Sequence, residues 1–428
     1  MRRWYGQHYV LLWMCVLIAV NQLGFGSVVP VVPLYAASFG VSTAAIGLAI
    51  AVYGLARFLI NMPAGRLADL VGRRGTLALG GLITVLGNLL CAFAVNYGLF
   101  LGGRFVAGAG AALTLTAGQI VLADVTQPAE RGRAMGIYAG VFAFAVGAGP
   151  LPGGLLAEHF GLAAPFFAFA ALSAAAAAVA WLRIPETRGR SGAADRLLKP
   201  PSFAEQLRLL TSNRGFLLVS LISFSAAVAR TGGLFNVVPL LAQDQLSLAP
   251  DQIGLGLSMI SLAALLLAYP SGLMVDRLGR KAVIVPAMIV TGVSVGLFAV
   301  ASNYAWFLVA CAVWSIGLGI ASDAPGAYAA DTAPLGMNAA VMSTYRTLAD
   351  CGYVLGPLVL GIIADALGAP TALVVTGVLL VGSGVLFGRF APETYRAGGA
   401  LAGSGVGGQL ALAHQGGDRK AAEHLGQR

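Results

Sequence analysis

Charge is the scarcest property of this sequence. Of 428 residues only 10 % are Asp, Glu, Lys or Arg, while 58 % are hydrophobic and the mean hydropathy is +0.83. An average soluble domain carries roughly 25 % charged residues, so an ordinary water-soluble globule is excluded. Histidine is rare: His8, His159, His414 and His424 are the four, and none sits in mid-span beside an acid as metal or acid–base chemistry would want. The four cysteines, Cys15, Cys91, Cys311 and Cys351, fall inside apolar runs without C-x-x-C spacing, which leaves no disulfide framework and no thiolate metal site. No G-x4-G-K-[ST] loop occurs, which argues against direct use of ATP. No metal and no cofactor are expected, and a membrane-embedded enzyme is the reading these absences disfavour.

Apolar length is what the chain has in abundance. A bilayer core about 30 Å thick takes about 20 apolar residues per helix. Such runs lie near 8–36, 44–64, 76–95, 98–121, 134–157, 162–182, 215–241, 251–271, 282–301, 304–329, 340–364 and 369–388. Stretches such as ALSAAAAAVAWL are apolar all round rather than alternating, which predicts helices and not barrel strands. The 58 glycines suit helices that pack closely in lipid. The start, MRRWYGQHYVLLWMCVLIAV, has the basic front and apolar core of a secretory leader. No small-residue cleavage site follows and the apolar run continues, so it reads as an uncleaved first span.

The net charge of +9 would suggest nucleic acid in a soluble protein, but its placement gives another reason. Arg66, Arg73, Arg74, Arg131, Arg133, Arg277, Arg280 and Lys281, with seven more basic residues between 183 and 214, occupy every second connector. The alternate connectors hold Glu158, His159, Asp244, Asp251 and Asp365 and no Lys or Arg. Basic loops stay on the cytoplasmic side, so both termini are expected in the cytoplasm, in the plasma (inner) membrane, and no nucleic-acid partner is expected.

The chain repeats itself at an offset of 207 residues. GRLADLVGRR at 65–74 returns as GLMVDRLGRK at 272–281. In the same gap-free register Pro63 matches Pro270, Asn96-Tyr97 matches Asn303-Tyr304, Asp124 matches Asp331, and Gly149-Pro150 with Gly154 matches Gly356-Pro357 with Gly361. Pro185-Glu186-Thr187 matches Pro392-Glu393-Thr394. An Ala/Gly-rich composition scatters identities at any offset but does not cluster Asp, Pro, Asn and Arg in one register. Self-similarity of this kind means two homologous halves, and because both copies of the basic motif lie on one side, each half crosses an even number of times. The organisation expected is a six-helix bundle over 1–187, a basic cytoplasmic linker over 188–214, a second bundle over 215–396 and a disordered cytoplasmic tail over 397–428. A channel or a receptor requires no such matched halves.

These features resemble the major facilitator superfamily, whose loop after span two reads G-x-L-x-D-x-x-G-R-R/K. Gly65, Leu67, Asp69, Gly72, Arg73 and Arg74 fill that pattern, and Gly272, Asp276, Gly279 and Arg280 are their second-half counterparts. Physically the motif suits a latch: Gly65 and Gly72 permit a tight turn, Asp69 is suited to a facing helix N-terminus, and Arg73 to an acid such as Asp124 or Glu130. Leu23-Gly24 with Pro30-Val31 and Pro33 is similar to the span-one motif of the twelve-span drug:proton antiporter branch. Gly149, Pro150, Gly153 and Gly154 are similar to its G-P-x-x-G-G antiporter motif, with Ala145 where a glycine is usual. Leu101, Arg104, Gly108, Gly110, Ala111 and Ala112 are similar to the span-four motif tied to proton coupling. Close helix packing and proline kinks are the competing explanations of these glycines and prolines.

The resemblance implies an all-α integral membrane protein with twelve transmembrane helices in two pseudo-symmetric six-helix bundles. It further implies a transporter driven by a proton gradient, exporting a small organic molecule or drug by alternating access. A proton-coupled symporter or a uniporter for a small anionic metabolite is the alternative. The expected partners are substrate, protons and lipid, with the chain a monomer. A charge near mid-bilayer costs at least about 2.5–3.5 kcal/mol, so each one there is a candidate functional site. Six qualify: Arg57, Arg104, Arg230, Asp323, Arg346 and Asp350. The proton carrier is expected to be Asp323 or Asp350. Arg346, four residues before Asp350, is its nearest candidate partner, and Asp323 is an alternative partner for Arg57. Four arginines against two aspartates favour an anionic or zwitterionic cargo.

Overall fold

A computed structural model describes residues 2–126, 128–188, 213–321, 324–332 and 338–394. Twelve helical stretches in it are long and apolar enough to cross a membrane, and the crossings fall where the apolar runs predict them. In the first half they are α1 (Arg2–Val28) continued by α2 (Val31–Ala37), α3 (Thr43–Val71), α4 (Arg73–Ala92), α5 (Tyr97–Val125), α6 (Pro128–Ala148) continued by α7 (Pro150–Phe160), and α8 (Ala164–Arg183). The second half repeats the order. It begins with α9 (Arg214–Val228), a π-helical stretch Ala229–Val237 and α10 (Val238–Asp244). There follow α11 (Pro250–Leu278), α12 (Arg280–Ala299), α13 (Tyr304–Ala321) with α14 (Ala324–Asp331), α15 (Asn338–Leu367) and α16 (Ala369–Phe390). The expected linker, apart from its first and last residues, and the expected tail lie outside the described residues.

Local chemistry sets the ends of these helices. Asn96 caps α5 by accepting from the Leu99 N–H, and Asn303, its counterpart in the repeat, accepts from the Trp306 N–H at the start of α13. The turn between α3 and α4 is a single residue, Gly72, whose φ of +99° lies in the region that favours glycine, and Gly279 with φ +95° does the same between α11 and α12. Gly65 is not part of a turn: it lies inside α3, one and a half turns before the helix ends, and Gly272 lies likewise inside α11. The lipid-facing flanks carry exposed large side chains such as Leu82 and Leu86 on α4, Val293 on α12, and Val378 and Leu386 on α16.

The halves meet along two lines, α3 against α15 and α6–α7 against α11. Chain direction puts both described ends and both basic turns at one face, called here the basic face, and the starts of α3 and α11 at the far face.

Candidate functional site

At the far face the halves are sewn together by glycines laid on carbonyl oxygens. A Cβ on Gly47 would strike the Pro357 carbonyl, and one on Gly361 would strike the Thr43 carbonyl. The repeat makes the same seam on the other side of the molecule, with Gly254 on the Pro150 carbonyl and Gly154 on the Pro250 carbonyl. Gly149 and Gly153 pack on Gly26 and Ser27 of α1, so the antiporter-type motif is the place where α7 contacts α1 and α11 together. Gly24 lies on the Phe169 ring, and α1 gives way to α2 at Pro30, three residues before Pro33.

One element of this seam has no counterpart. The Asp365 carboxylate accepts from the Thr43 N–H at 2.7 Å and from the Ala44 N–H at 2.9 Å, capping α3 from the opposite half. The equivalent acid, Glu158, is exposed, and the residue equivalent to Thr43 is Pro250, which has no N–H to give. Loss of a cap costs about 1 kcal/mol, or about a fivefold shift in a two-state equilibrium. Labelling of Val32→Cys by an impermeant thiol reagent from the far face is therefore expected to rise about fivefold in Asp365→Ala and to stay unchanged in Glu158→Ala.

Past this seal the halves part towards the basic face. Phe58 and Leu59 on α3 are 42 % and 51 % exposed, and Arg346 on α15 is exposed. Two small compartments lie between them, and Tyr353 lines both. The upper, towards the basic face, is lined by Gly54, Arg57, Phe58, Asn61, Asp350 and Tyr353. The lower is lined by Phe25, Val28, Val29, Val32, Ile50, Arg104, Phe235 and Tyr353. The Arg57 guanidinium lies 5.9 Å from the centre of the Tyr353 ring, Arg104 lies 4.5 Å from that of Tyr53, and Arg230 lies 5.6 Å from that of Phe235.

Tyr353 is held by a repair of the backbone. Pro357 has no N–H, so the carbonyl of Tyr353 four residues earlier has no helical donor. The Thr231 hydroxyl lies 3.2 Å from it and shares its proton between this carbonyl and that of Ala227 at 2.9 Å, and Asn236 donates to the Pro357 carbonyl at 3.2 Å. Both donors come from the π-helical stretch that carries Arg230. Broken helices in a membrane are satisfied in this way by their neighbours.

The charges of the chamber ignore the repeat. At the 207-residue offset Arg57 corresponds to Ala264, Arg104 to Cys311, Arg230 to Leu23, Arg346 to Ala139 and Asp350 to Ala143. The expected Arg346–Asp350 pair is not formed. The ion pairs among the described residues are Arg73–Asp69, Arg73–Asp124 and Arg280–Asp331; Arg346 is exposed, and Asp350 shares the upper compartment with Arg57. Asp323 lies outside the described residues.

At the basic face the duplicated motif builds two brackets, each closed within its own half. Arg73 Nε meets Asp124 Oδ2 at 3.1 Å, and Thr187 donates to the same oxygen at 2.9 Å. The second half has the same parts, with Arg280 Nε at 3.1 Å from Asp331 Oδ2 and Thr394 donating to that oxygen at 3.0 Å. Asp69 is 70 % exposed and pairs with Arg73 at 2.8 Å. Its exposure shows that it does not occupy a facing helix N-terminus. The first turn of α4 is capped instead by Glu186, which accepts from the Arg73 and Arg74 N–H groups. Partial burial pushes its carboxyl up, but four backbone N–H bonds outweigh that and hold it below the usual carboxylate range. Arg74 stacks on Trp181, 4.6 Å from the ring centre. Reading the motif alone misses Glu186 and Thr187; the repeated Pro-Glu-Thr was the signal pointing to them. The side chain of Asp276 lies outside the described residues.

Two related helix bundles around a charged chamber, closed at one face and open at the other, define a membrane transporter, and the comparisons agree. The model of the Major Facilitator Superfamily matches residues 14–245 and 220–414. The chain is 24 % identical over 348 residues to an MFS-type transporter of Methanocaldococcus jannaschii, across 81 % of this chain and 89 % of that one. It is 25 % identical over 356 residues to multidrug resistance protein 2 of Bacillus subtilis, across 81 % and 87 %. Among solved structures, a bacterial homologue of the human lysosomal transporter Spinster, inward-facing and unoccupied, superposes with a TM-score of 0.72 at 17 % identity, across 89 % of this chain and 96 % of that one. The chain belongs to the major facilitator superfamily.

Proposed function

We propose that this transporter exports a small organic molecule in exchange for protons, with the basic face and both termini in the cytoplasm. The reading is carried by one observation: Asp350, a lone carboxylate among the residues of the upper compartment, faces Arg57 there while the far face is sealed. Protonation of Asp350 releases the arginine charge around it, and deprotonation restores it, so proton and cargo bind in alternation as the halves rock. The basic connectors support the orientation, and the name of the Bacillus subtilis relative supports an organic cargo.

One observation favours a second reading, proton-coupled symport or uniport of a small anion: the chamber holds more guanidinium than carboxylate. Inverted vesicles energised acid inside separate the two. A panel of organic cations, neutral compounds and anions is added in turn. An antiported cargo dissipates the pH gradient and a uniported one leaves it standing. A cargo that carries protons inward with it acidifies the lumen further, and that result, or a standing gradient with every transported compound, rules out antiport.

A further inference from the structure

The lower compartment contains a charge with no counter-charge. Arg104 is 2 % exposed, and its Nε donates to the Ala49 carbonyl at 3.1 Å. Its Nη1 is buried without a hydrogen-bond partner, and among the described residues no carboxylate pairs with it. A buried cation in this condition is expensive, and burial of an unsatisfied donor adds to the cost. The Tyr53 ring under the guanidinium offsets part of this. Apart from Tyr353 the rest of the lining is apolar, with Phe25, Val28, Val29, Val32 and Ile50 of the first half and Phe235 of the second. The free space between these side chains is about 10 Å³, room for about one water, so a ligand enters only as the lining side chains give way.

A ligand that fits has three properties. It brings one anionic group, since Arg104 offers donors in a fixed fork that matches a carboxylate. The remainder is apolar, since Val28, Val29, Val32 and Ile50 offer it no hydrogen bonds. It is small, a single ring or a short branched chain. We infer that the lower compartment is a binding site for small organic monocarboxylates, with the carboxylate on Arg104 and the apolar body against Phe25, Ile50 and Phe235. The inference rests on the chamber being the cargo site and not on the direction in which protons move.

The test is binding to the full-length protein in lipid nanodiscs, without any gradient. Radiolabelled benzoate is the probe, with benzamide and benzylamine as neutral and cationic competitors of the same shape. Benzoate is expected to bind saturably and to resist both competitors. Removing one partner of a buried charge pair weakens binding about thirtyfold or more, so Arg104→Gln is expected to lose that much, while Arg104→Lys keeps part of the affinity as a point charge. Should Arg104→Gln fail to fold, Ile50→Phe leaves the guanidinium in place and fills the pocket, and it too is expected to lose benzoate. Absence of saturable benzoate binding, displacement by benzamide or benzylamine at benzoate's own concentrations, or unchanged affinity in the folded Arg104→Gln or Ile50→Phe protein overturns the inference. The antiport reading is judged separately, because vesicles can exchange protons for another cargo whether or not benzoate binds.

Discussion

Purified Asp124→Ala protein is expected to unfold far more readily than the wild type, with a loss of about 3 kcal/mol. The Arg73 and Asp124 side chains are only 6 % and 4 % exposed, and breaking one partner of a buried pair leaves the other charge without its compensation. Asp69 retains a hold on Nη1 of Arg73, which places the loss at the lower end of the range for such pairs. The Thr187 hydroxyl is orphaned as well, since it donates to the same carboxylate oxygen. The second-half copy is a built-in control. Arg280 and Asp331 are 19 % and 34 % exposed, and pairs reached by water are worth roughly 0–1 kcal/mol, so Asp331→Ala is expected to move the unfolding midpoint much less. Equal midpoint shifts in the two variants would show that burial does not set the strength of the bracket.

Asp350→Asn is expected to abolish dissipation of an imposed pH gradient while leaving exchange of labelled cargo for unlabelled cargo across the same membrane. Asparagine keeps the shape and polarity of the side chain but cannot gain or lose a proton. Net exchange requires that step; cargo-for-cargo exchange requires only that the loaded transporter reorient. Loss of both activities would mean that Asp350 holds the chamber together, and retention of both would move proton handling to another residue, with Asp323 next.

Much of this fold was legible before any coordinates. Apolar length gave the crossings, the 207-residue register paired the halves, and the basic motif marked one face. Arg73 was readable as the partner of an acid on a neighbouring loop, with Asp124 and Glu130 both on offer, and the structure pairs it with Asp124. What was not legible depends on backbone geometry between distant residues. The Asp365 cap on α3 joins positions more than 300 residues apart, and no periodicity announces it. The Thr231 hydroxyl reaches Tyr353, 122 residues away, from a π-helical stretch that no sequence pattern marked. The Arg346–Asp350 spacing looked like a helical ion pair, yet Arg346 is exposed and Asp350 lines a compartment with Arg57.

The lower compartment is lopsided. Six of its eight lining residues, Arg104 among them, belong to the first bundle, and only Phe235 and Tyr353 come from the second. When the bundles tilt to open the far face, a molecule lodged there keeps most of its contacts on one side and loses them on the other. In the proposed cycle it would therefore travel as a passenger of the first bundle, with the second bundle as the door that swings away from it.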